Sequence, residues 1–216
     1  MDQVDPRLLS IADMDDKTRE RIEAAVLALF SEQEYHRVKL IDVATMGRVS
    51  LQTIYKYYGG KETLLFSSLD SWLSELAKRM IDHLSGIENY KDRLRKVFWV
   101  MLDYFEHNPR VAQIIMSSVY LNTWRRDDTF RQPELMSIFM KVLGEGREQG
   151  VFREDVDEKD LLDIFLGVAT RKISMWLVRG QSEPLTEKAP VLFDMIWAAM
   201  SRESSSEPQA IRAKAS

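Results

Sequence analysis

Gln52, Thr53, Lys56 and Tyr57 place an amide, a hydroxyl, an ammonium and a phenol within one short segment. Gln52 and Lys56 stand four apart, as do Thr53 and Tyr57, so a helix here aligns them on one outward face. Such groups hydrogen-bond to base edges and phosphate oxygens, which is readout of nucleic acid rather than bond-breaking chemistry. Ile54 and Tyr58 share the same spacing on the inward face, and Ser50 precedes the segment as its cap. Chemistry of other kinds lacks its residues. The histidines His36, His83 and His107 are scattered without metal-ligand spacing, and no Ser/His/Asp set or Glu-x-x-His pair occurs. Gly60-Lys61-Glu62 lacks the earlier glycine and the following Ser/Thr of a phosphate-cradling loop. With no cysteine, thiolate catalysis and Cys-ligated metals are excluded. The expectation is no enzyme, no metal and no cofactor.

The elements that must position this segment are helices. Ile22, Ala25, Val26, Leu29 and Phe30 form one stripe over 18–33, and a short segment follows at 40–47. Gly47-Arg48-Val49 separates it from the segment that begins at Ser50, and Gly59-Gly60 ends that one. Three short helices need one shared core, which Val26, Leu29, Phe30, Leu40, Val43, Ala44, Val49, Ile54 and Tyr58 supply. Further helical patterns cover 61–85, 92–107, 109–124, 133–149, 159–179 and 187–202, and no strand period is visible. The fold class read from this is all-α with about nine helices: an N-terminal three-helix, helix-turn-helix domain joined to a larger C-terminal helical bundle. The divisions are a flexible acidic arm at 1–16, the head at 17–62, a body at 63–202 and a disordered tail at 203–216.

The chain of 216 residues carries a net charge of −4, which looks unfriendly to nucleic acid. The total hides its distribution. Residues 17–62 hold eight Lys/Arg against six Asp/Glu and so carry +2, leaving −6 elsewhere, of which the arm supplies −4. No apolar run is long enough to span a membrane, no signal peptide is visible, and a cytoplasmic location is expected.

The segment 18–66 resembles the N-terminal domain of TetR-type transcriptional regulators. The residues that carry the resemblance are Ala25, Leu29-Phe30 and Glu34-Tyr35, then Val43-Ala44, Val49-Ser50, Thr53-Ile54-Tyr55, Tyr58 and Lys61-Glu62-Thr63-Leu64. There are departures. The family turn is Ala-Gly-Val, so Arg48 stands where glycine accepts an unusual backbone angle, and the turn must differ or Arg48 must bear strain. Leu51 replaces a basic or small polar residue, which means either a contact with a thymine methyl or a weaker grip on DNA. The resemblance implies a homodimer on a pseudo-palindromic operator in double-stranded DNA. Candidate DNA-binding residues are Lys39, Arg48, Ser50, Leu51, Gln52, Thr53, Tyr55, Lys56, Tyr57 and Lys61. Lys61, opening a long helix, would meet a phosphate there.

The last two helices are apolar on more than one side, so one face is expected on the protomer's own bundle and another on a second copy. Phe165, Ala169, Trp176, Leu192, Ile196 and Trp197 are the candidate dimer interface. Between them and the head lie Trp99, Phe105, Met116, Tyr120, Trp124 and Phe139. These read as core that could open an apolar pocket, with Arg171, Arg125 and Arg126 as candidates for an anionic end. The resemblance implies a small effector there, and the residues suit an apolar or amphipathic one, of fatty-acyl type for example. The functional expectation is a repressor released from its operator by that effector. The alternative is an all-α small-molecule-binding or adaptor bundle whose head no longer reads DNA.

Overall fold

The computed structural model describes residues 11–84, 86–87, 89–118 and 133–202. Nine helices occur among them: α1 Asp16–Glu32, α2 Leu40–Met46, α3 Leu51–Tyr58, α4 Lys61–Leu84, α5 Tyr90–His107, α6 Pro109–Ser118, α7 Pro133–Glu148, α8 Glu158–Val178 and α9 Ala189–Met200. The only β feature among the described residues is one isolated bridge, Phe152 to Ser201. The expected elements are all present where described, with ends moved by a residue or two. Capping explains the shifts. Asp15 accepts from the Thr18 N–H at 3.0 Å and starts α1 earlier than the apolar stripe does. Asn89 and Asp157 cap α5 and α8 in the same way.

Two hydrophobic cores meet along α4. The head core holds Ile22, Val26, Phe30, Val43, Ile54 and Tyr58, and it continues into Leu64, Leu65, Phe66 and Leu69 of α4 and Ile114 of α6. The boundary expected at residue 62 is therefore not a break in packing. The arm also differs from expectation over its described part: Met14 is buried against this core. Burial of a side chain this size is worth about 1.5–3 kcal/mol.

The body core is built around Phe98, which meets Phe165 at 5.8 Å and Phe193 at 6.2 Å between ring centroids. Phe139 adds to the same stack, 5.7 Å from Phe165. Gly146 of α7 lets the Phe152 ring lie against the helix backbone, since a Cβ there would come within 2.2 Å of the ring. α6 ties the two cores together. Ile114 lies in the head core, Ile115 touches both, and Arg110 pairs with Glu32 of α1 at 3.7 Å.

Candidate nucleic-acid interface and helical body

The turn between α2 and α3 is set by crowding against α1. Gly47 is right-handed, and a Cβ there would meet the Val43 carbonyl oxygen at 3.1 Å and the Arg21 carbonyl oxygen at 3.3 Å. The displaced glycine thus serves close approach, and the left-handed step falls on Arg48, with φ 53°. The strain expected at Arg48 is present, at about 1–2 kcal/mol for a side chain in that region. Arg21 of α1 steadies the turn. Its guanidinium donates to the Arg48 carbonyl oxygen at 3.4 Å and to the Thr18 hydroxyl at 2.9 Å. Sequence reading missed Arg21 because its target is a backbone atom 27 positions away.

Ser50 caps α3, accepting from the Thr53 N–H at 2.9 Å, and its hydroxyl shares a 2.8 Å hydrogen bond with the Thr53 hydroxyl. Ile54 and Tyr58 are buried as the spacing requires. The outward face is Gln52, Tyr55 and Lys56, with Thr53 half-buried beside it. Tyr55 is 53% exposed. Tyr57, expected on that face, and Leu51, named as a DNA contact on other grounds, both pack on the head core. Tyr57 is half-buried, with the Lys56 ammonium 4.9 Å from its ring centroid. An eight-residue helix packed against both α2 and α4 turns less of itself to solvent than its period alone suggests. Lys39, just before α2, and Arg48, in the turn before α3, are exposed.

Lys61 is corrected more strongly. Its ammonium donates to the carbonyl oxygens of Tyr35 at 2.8 Å and Val38 at 2.9 Å, and lies 4.4 Å from the Tyr35 ring centroid. Those carbonyls follow α1 and lack helical partners, so the lysine completes the chain entry into α2. Behind the unit, burial pushes the Tyr58 hydroxyl up to about 12, and the nearby Glu23 charge adds to the shift. Glu23 is itself pushed above the ordinary carboxylate range by desolvation, against the opposing pull of Arg19 and a Ser71 hydrogen bond.

In the body, the expected effector residues separate. Phe105 and Phe139 are buried in the core, and Met116 is half-buried on it, its sulfur accepting from the Ser174 hydroxyl at 3.1 Å. Trp99 does not join them; it is 38% exposed on the outer side of α5. Arg171 is exposed on α8 rather than aimed inward. Tyr120, Trp124, Arg125 and Arg126 lie outside the described residues.

The dimer candidates are on the expected helices but mostly on the wrong side of them. Phe165, Ala169, Trp176 and Ile196 are buried within the protomer, and Leu192 and Trp197 are half-buried on its core. The unpartnered apolar side chains are Val178, 77% exposed, and Val191 and Met195, each 65% exposed. Ala198 continues the same line along α9.

Residues 91–175 match the family model for the tetracyclin repressor-like C-terminal domain. The regulator HbdR of Aromatoleum sp. (strain CIB) is 30% identical over 95 residues, which is 44% of this chain and 39% of HbdR. The repressor NicS of Pseudomonas putida is 24% identical over 145 residues, 65% of this chain and 68% of NicS. The fold also matches FadR of Bacillus subtilis in complex with stearoyl-CoA, with a TM-score of 0.73 at 18% identity, covering 83% of this chain and 97% of that one. These are regulators of transcription and not enzymes. With the head motif of residues 18–66 in front of a body whose residues 91–175 match that family model, the chain is similar over both parts to TetR-family transcriptional regulators.

Proposed function

We propose that this protein is a homodimeric repressor that reads a two-fold symmetric operator in duplex DNA and is released from it by an apolar or amphipathic effector. One observation carries the reading: α3 turns Gln52, Tyr55 and Lys56 outward from a well-packed head on which Lys39 and Arg48 are also exposed. In the major groove, Gln52 suits an adenine edge, and Lys56, Lys39, Arg48 and the Tyr55 hydroxyl suit phosphates. Ser50 and Thr53 set the start of α3, and Leu51 and Tyr57 support it from the core side.

A dimer through α8 and α9 is supported by the apolar line Val178, Val191, Met195 and Ala198. Two-fold related heads then require two half-sites on one duplex. The effector site is placed in the body around Phe105, Met116 and Phe139. A fatty-acyl class is supported by FadR, whose structure holds stearoyl-CoA. A ligand there acts through α6, which joins Met116 to the head core by way of Ile114 and Arg110. It favours the dimer geometry whose heads no longer match adjacent grooves. Such work places the protein in the cytoplasm.

A gel shift on the DNA upstream of the protein's own gene tests this. Retarded duplex, released by long-chain acyl-CoA, is the expected result. No retardation at low salt favours a bundle that binds small molecules without reading DNA.

A further inference from the structure

A recess of about 330 Å³ opens on the outer surface, between α5 and the start of α9. Its floor is apolar: Ile87, Trp99, Ala189 and Pro190. It is separate from Phe105 and Phe139, which are buried inside the bundle. Three features distinguish it from a plain gap between helices. First, Trp99 leaves 38% of its surface open there, a large cost in exposed apolar area for a side chain beside a well-packed core. Second, the Lys96 ammonium stands 4.7 Å from the Trp99 ring centroid and makes no ion pair among the described residues. Third, the other charges at the rim are already satisfied. Arg95 pairs with Asp92 at 2.9 Å and with Asp194 at 3.3 Å, and its guanidinium lies over Phe193. One cation is thus left uncommitted at the edge of an aromatic floor.

We infer that this recess binds a small planar aromatic monocarboxylate, with its ring on the Trp99 indole and its carboxylate on Lys96. The volume is at the small end of ligand pockets, which suits one or two fused rings and excludes a long acyl chain. A second copy of the chain is not the occupant. α9 turns Pro190 and Asp194 toward α5, while the exposed Val191 and Met195 are not among the residues that line the recess. The site is therefore distinct from both the interior effector site and the proposed dimer face.

Isothermal titration of the full chain with 2-naphthoate and with neutral 2-naphthamide tests the assignment. The expected result is that naphthoate binds, at least tenfold tighter than the amide. Lys96→Met removes that preference while leaving amide binding unchanged, and Trp99→Leu abolishes both. Trp99→Phe, which keeps an aromatic floor, retains measurable naphthoate binding. Melting curves of the variants matching the parent show that they fold. The inference is overturned if naphthoate fails to bind the parent, or if it binds parent, Lys96→Met and Trp99→Leu equally, which would place it elsewhere in the molecule.

Discussion

Arg48 holds a backbone conformation that suits glycine, next to a glycine that does not use it. The proposed phosphate contact of Arg48 would set stability against function at this position. Arg48→Gly relieves about 1 kcal/mol of left-handed strain, offset in part by glycine's greater freedom when unfolded. The variant should melt slightly higher, by differential scanning calorimetry, while binding duplex DNA more weakly at every sequence. Glu23 poses a second residue-scale question. Its folded pKa is raised, so the folded state holds its proton more tightly than the unfolded one. Stability then falls as pH rises through the range above the ordinary value of 4.5, and the cost is complete above the folded pKa. Glu23→Gln should raise the melting temperature at neutral pH, and the gain should vanish below pH 4.5. A gain independent of pH would mean that the charge is not its source. The strain at Arg48 was legible in the sequence because it rests on one dihedral angle at a known turn. Glu23 was not, because its desolvation comes from α3 and α4 closing over α1.

At the scale of elements, the helices were legible nearly to the residue, because 3.6-residue periodicity, caps and proline positions are local signals. Which face of each helix is free was not. Period alone set Tyr57 outward with Gln52, yet contact with the head core turns Tyr57 in and leaves Tyr55 out. On α8 and α9, apolar residues on every side marked burial without saying which side meets the protomer's own core. Phe165 and Ile196 proved to be inside. Lys61 shows the same limit. A lysine opening a helix after a reading unit suggests a phosphate, but its ammonium closes the carbonyls of Tyr35 and Val38. Lys61→Met should therefore destabilise the protein by about 1–3 kcal/mol through lost charge-assisted bonds. Urea unfolding reads this directly, and a variant of parental stability would contradict the clamp.

For the whole molecule, the account requires two heads on one duplex, held by an interface that a single chain leaves uncovered. A charge placed in that interface is costly to bury unpaired. Met195→Glu should give a monomer by sedimentation equilibrium with its helical content unchanged, and should lose cooperative DNA binding. A variant that stays dimeric would move the interface away from the Val178–Met195 face. The net charge of −4 fits this division of labour, because only the +2 head has to approach the phosphates. Selection of duplexes from a random pool reads out whether α3 recognises sequence, comparing the parent with Gln52→Ala and Lys56→Ala. The parent should enrich a two-fold symmetric sequence. Gln52→Ala should relax one position in each half-site, at about 1–3 kcal/mol per lost bidentate contact. Lys56→Ala should keep the same sequence but bind it more weakly, with a salt slope smaller by about one. Enrichment of the same sequence with the same affinity and salt slope by all three, or no enrichment by the parent, would contradict the claim that α3 reads DNA.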